Sequence, residues 1–136
     1  MKKMNKKGFT IVELVIVIAV IAILSAVLIP TFSGVVEEAN NTAAVSNARG
    51  IYSQYQSAAI LEDGKAEVNA IFQDADKRFV VIKDSQIFET DDKKSVFESA
   101  EAACEAAFGK DNFDIADNDA TVGDKTYAGL KLVTVE

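Results

Sequence analysis

Two groups of residues in this 136-residue chain have types and spacings that suggest chemistry. One is a lone acid, Glu13, the single charge in residues 8–36. The other is the stretch 111–124, which holds Asp111, Asp114, Asp117, Asp119 and Asp124 with no base between Lys110 and Lys125. An ionised acid inside an apolar helix costs on the order of 2–3 kcal/mol, less near an interface, and by default marks function. The bland reading of Glu13 is a carboxylate that snorkels to water from within a turn or two of a membrane surface. Oxygen-rich loops bind calcium, but Asp117-Asn118-Asp119 lacks the glycine and the distant glutamate of an EF-hand loop, so a solvated acidic loop is the expected form. The chain has no histidine and one cysteine, Cys104, which excludes a Ser-His-Asp triad, a Cys-His dyad, a His-ligated metal site and an internal disulfide. Cys104, set among alanines, reads as a small buried hydrophobe. No constellation supports an enzyme, and neither a metal nor a cofactor is implied.

The element that must position Glu13 is a long apolar helix. Residues 9–29 have only Thr10, Glu13 and Ser25 as polar members, and at 1.5 Å per residue they reach roughly 31 Å, enough to cross a bilayer core. Lys2, Lys3, Lys6 and Lys7 precede this span with no acid among them, which places the N-terminus in the cytoplasm and the rest of the chain outside. Residues 62–136 carry 18 acids against 9 bases. So uneven a chain is neither wholly soluble nor multi-spanning, and its acidic part would be repelled by nucleic-acid phosphate. A cleaved secretory signal, with Ser25-Ala26 near the cut, or a permanent signal anchor would share this outline. Glu13 stands against an ordinary signal peptide.

The segment Gly8-Phe9-Thr10-Ile11-Val12-Glu13-Leu14, after its lysine-rich leader, closely resembles the processing site of type IV pilins and related pseudopilins. The resemblance covers about the first 60 residues. It implies that a membrane-embedded aspartyl peptidase cuts between Gly8 and Phe9 and methylates the new amino group of Phe9. Glu13 is then the fifth residue of the mature chain, where the family carries its glutamate. Such a carboxylate neutralises the Phe9 amine of its own chain or of a neighbour, and an unpaired Glu13 in a filament core would cost more than a paired one. Removal of residues 1–8 takes the net charge from −7 to −11. The implied partners are further copies and other pilins in a helical filament, the prepilin peptidase, a pilus-assembly ATPase with its membrane platform, and the membrane itself before assembly. No direct nucleic-acid binding is expected. The implied location is a single-pass cytoplasmic-membrane precursor, then a cell-surface pilus. Alternatives are a pseudopilin of a type II secretion or competence machine, and a monomeric signal-anchored surface binding protein. Many type IV pilins staple a C-terminal loop with a disulfide; its absence here leans towards a Gram-positive source.

The remaining pattern completes an α+β fold. Pro30 and Gly34 would stop a helix or kink it, and the resemblance favours one long bent helix from 9 to about 61. Val45, Ala48, Tyr52, Tyr55 and Ala59 recur at spacings of 3 and 4 and form its buried stripe, with Asp63-Gly64 as the end. Residues 66–76 could form a short second helix. Residues 78–83 and 86–90 read as a hairpin about Asp84-Ser85. Residues 95–108 read as an amphipathic helix capped by Ser95, with Glu98 completing a capping box and Gly109 as C-cap. A last strand, 130–135, is expected to pair with Thr121-Val122 across Gly123-Asp124-Lys125. The expected organisation is thus a leader (1–8), a transmembrane and assembly helix (9–30), its amphipathic continuation (31–61) and a small extracellular head (62–136). The fold class is a long N-terminal transmembrane-plus-amphipathic helix packed on a small antiparallel sheet, the pilin fold. Millimolar calcium is expected to leave the unfolding temperature unchanged, which would exclude a calcium site in residues 111–124.

Overall fold

The computed structural model describes residues 7–136, so Lys2, Lys3 and Lys6 of the expected leader lie outside the described residues. The element order is α1 (Ile11–Asp63), β1 (Ala70–Gln73), β2 (Phe79–Lys83), β3 (Gln86–Ile87), α2 (Ala100–Phe108), β4 (Phe113–Ile115), β5 (Thr121–Val122), β6 (Lys125–Thr126) and β7 (Leu130–Val135). The chain divides into two compact units, Met1–Glu38 and Ala39–Glu136, and α1 contributes to both.

In the first unit α1 holds an 18-residue window with mean hydropathy 3.1 that has none of its surface buried. By length and composition this is a helix able to cross a membrane. It runs through Pro30 without a break. Proline has no N–H to give the Ala26 carbonyl. The neighbouring hydroxyls bond within the helix instead: Ser25, Thr31 and Ser33 donate to the carbonyls of Ile21, Val27 and Ile29 at 2.7, 3.0 and 3.1 Å. Each polar side chain is thereby satisfied without water.

The second unit is built on a five-stranded antiparallel sheet of order β3-β2-β1-β7-β4, with β5 and β6 forming a separate ribbon. Both faces of the sheet are covered. On one face Ala70, Phe72, Val80, Ile82 and Leu130 pack against Ala44, Ala48, Tyr52, Tyr55 and Ala59 of α1. On the other Ile71, Val81 and Val133 pack against Ala103, Cys104 and Ala107 of α2. The buried stripe of α1 therefore starts at Ala44 rather than Val45, which is half-buried at its edge. Alanines let the helix approach the sheet closely, and the tyrosines reach past it. The Tyr52 hydroxyl donates to the Glu67 carbonyl at 2.9 Å, and the Glu67 N–H donates to the Tyr55 hydroxyl at 3.3 Å. The two phenols thus hold both backbone polar groups of one residue in the connection from α1 to β1. The third tyrosine, Tyr127, meets Tyr55 edge-on with ring centroids 5.8 Å apart.

Several expectations hold. The helix ends at Asp63, with Gly64 at φ +72° and its N–H donating to Ile60. The hairpin of β2 and β3 turns on Asp84 and Ser85, both at positive φ, as a two-residue primed turn requires, although its second strand is only Gln86–Ile87 rather than 86–90. The strand at 130–135 falls where it was expected.

Others are corrected. Residues 66–76 do not form a helix but contain β1. A helix would have grouped Val68, Ile71, Phe72 and Ala75, yet Val68 is 45% exposed, while Ile71 and Phe72 point into the two opposite cores. A strand covered on both faces reads as a continuous apolar run, which hides its period of two. The helix at 95–108 is shortened to α2, and its N-cap is Ser99, whose Oγ accepts from the Ala102 N–H at 3.4 Å, so neither Ser95 nor Glu98 caps it. Phe97 is instead held extended by two backbone bonds to Phe79, at 2.8 and 2.9 Å. Strand β7 pairs with β1 and β4, not with Thr121-Val122, which pairs with β6. The acidic stretch is not simply a loop: Phe113 and Ile115 place β4 at the sheet edge, leaving Asp114 exposed between them. Among the described residues no group of three or more His, Cys, Asp or Glu side chains could hold a metal ion.

Two contacts give the unit measurable sensitivities. Gly129 sits at φ +79°, and a Cβ there would lie 2.4 Å from the Gln73 carbonyl oxygen. Gly129→Ala is expected to cost about 1–3 kcal/mol, seen as a lower denaturation midpoint of the full chain in detergent. Cys104 is fully buried, and loss of hydration pushes its thiol from 9.0 up to about 11. The folded thiol keeps its proton where the unfolded one loses it, so this contribution to stability is complete below pH 9 and declines as pH rises to about 11. Over that interval wild type should lose stability more steeply than Cys104→Ala.

Candidate functional site

The site expected from the sequence is the start of α1. Residues 7–10 are not helical, Gly8 is exposed and Phe9 is 94% exposed, so the Gly8–Phe9 peptide bond lies just outside the helix in an accessible segment. The helix begins one residue beyond Thr10, whose carbonyl accepts the first helical bond from the Leu14 N–H at 3.2 Å.

Thr10 and Glu13 form a reciprocal pair. The Thr10 N–H donates to Glu13 Oε2 at 2.9 Å, and the Glu13 N–H donates to Thr10 Oγ1 at 3.2 Å. This is a capping box: the side chain of each residue satisfies the backbone amide of the other. The first turn of any helix leaves amide donors without partners, and an acid placed there also complements the positive end of the helix dipole. In an apolar medium such donors have no water to turn to, so the box removes a cost that would otherwise fall on this end of the span. It also fixes where the helix starts.

The structure therefore places Gly8, Phe9 and Glu13 in one short segment at the helix start, and it gives Glu13 a bond that the reading of the sequence missed. With the Gly8–Phe9 bond intact, Glu13 is engaged by Thr10, the residue directly after Phe9. The signal was present: Thr-x-x-Glu ahead of an apolar run is a helix-start signature. Beyond the box, the apolar side chains of the span are turned outward, with Ile11, Leu14, Ile18 and Ile21 all more than half exposed. The arrangement sets an accessible non-helical segment, an oriented carboxylate and an outward-facing apolar helix in immediate succession.

Comparison with known proteins centres on this segment. The family of the prokaryotic N-terminal methylation motif matches residues 3–29. The type IV wide pilus major component PilA4 of Thermus thermophilus is 60% identical over 38 residues, 28% of this chain and 29% of that protein. The type IV narrow pilus major component PilA5 of the same organism is 35% identical over 69 residues, 51% of this chain and 60% of that protein. The chain thus spans less than two thirds of either relative. No solved structure matches it.

The box can be tested apart from any assembly. Thr10→Val removes the hydroxyl acceptor, and a lost cap costs about 0.5–2 kcal/mol, so amide exchange at Glu13 should accelerate roughly 2- to 30-fold in detergent micelles. Thr10→Ser should retain protection. Equal protection in all three proteins would show that the box does not hold the first turn.

Proposed function

We propose, from the premise that this chain carries the N-terminal segment of the type IV pilin family, that it is a structural subunit of a type IV pilus. The observation that carries this reading is the start of α1, where a Gly8–Phe9 bond outside the helix is followed by an oriented Glu13 and an exposed apolar span.

The proposed course begins in the cytoplasmic membrane, with the N-terminus inside and the second unit outside. The prepilin peptidase hydrolyses the Gly8–Phe9 bond and methylates the freed α-amino group of Phe9. That amine is a cation beside the positive end of a helix dipole in apolar surroundings, an unfavourable position unless a carboxylate is near. Glu13 is the only acid in residues 8–36, so it alone in this span can serve. On its own chain it already faces the Thr10 amide; in the filament we assign its partner as the Phe9 amine of an adjacent subunit. Pairing then marks one axial register, because any other would leave Glu13 buried and uncompensated.

The energetics of transfer fit a helix of this kind. Leaving lipid for a filament core exchanges one apolar environment for another, so close packing rather than the hydrophobic effect holds the helices together. The apolar span of α1 would form the core and the acidic head the outer surface. Other copies and other pilins are the filament partners, and an assembly ATPase with its membrane platform would supply the work of extraction. The two relatives are major components of a wide and a narrow pilus, which favours a shaft subunit over a pseudopilin of a secretion or competence machine. A signal-anchored binding protein would need no processing at Gly8.

Mass spectrometry of protein sheared from the cell surface tests the reading. The expected N-terminal peptide begins with N-methylated Phe9. A peptide beginning at Met1, or protein confined to membranes, would overturn it, and cleavage near Ala26 would identify a secretory signal instead. In the same fraction Glu13→Ala should be depleted more than tenfold, since an ion pair worth even about 2 kcal/mol in the core shifts incorporation by that much.

A further inference from the structure

We draw no further inference here: the strongest candidate, the stripe of small residues Ala43, Ser46, Gly50, Ser53 and Ser57 along the exposed face of α1 in the second unit, carries nothing because no other feature of the structure shows what covers it.

Discussion

Backbone and side-chain polar groups that cannot reach water must be satisfied by the chain itself, and this constraint shapes both parts of α1. At the apolar end the reciprocal bonds of Thr10 and Glu13 close the first turn, and Ser25, Thr31 and Ser33 spend their hydroxyls on carbonyls of the same helix. At the other end, the phenols of Tyr52 and Tyr55 take up the carbonyl and the N–H of Glu67, beyond the close of the helix at Gly64. The same rule governs α2, which has no basic residue in its last turn. Lys83, from strand β2, donates to the Ala107 carbonyl at 2.8 Å and so brings a cation to the negative end of that helix. Among the described residues no buried side-chain nitrogen or oxygen is without a partner.

The second constraint is size. The residues after α1 are too few to bury a large core alone, and the fold meets this by using both faces of one sheet. The alternation within β1 and β2 sends Ala70, Phe72, Val80 and Ile82 to the α1 side, and Ile71 and Val81 to the α2 side. The central strands consequently have no solvent face. Removing α1 would uncover an entire side of the sheet, so the helix that carries the proposed assembly chemistry is also part of the core of the second unit.

The proposed function joins these two demands at Glu13. As a cap its carboxylate stabilises the start of the span; as an ion-pair partner it would fix the position of the next subunit. Both uses rest on a negative charge held at the positive end of a helix, which the proposal sets in surroundings too apolar to solvate it. The processing proposed at Gly8–Phe9 would then act on a segment that already lies outside the helix, so cleavage need not unwind a turn first.

Long, strongly patterned features are legible in the sequence alone. The apolar span, the 3-and-4 spacing of Ala48, Tyr52, Tyr55 and Ala59, the Asp84-Ser85 turn and the strand at 130–135 each depend on residues close together in the chain, and each appears where expected. Glu13 is legible too, because a single charge in an apolar run is visible in one dimension. What could not be read is whatever depends on a partner distant in sequence. Strand β1 looked helical because burial on both faces erases alternation, and the start of α2 moved to Ser99 because Phe97 is drawn into pairing with Phe79. Strand β4 was hidden among aspartates, since only pairing with β7 gives Phe113 and Ile115 their strand. Local pattern chose which segments are apolar, which turn and which bear charge. Long-range pairing and two-sided burial chose the strand order and the final element boundaries, because those energies exist only once separate segments meet.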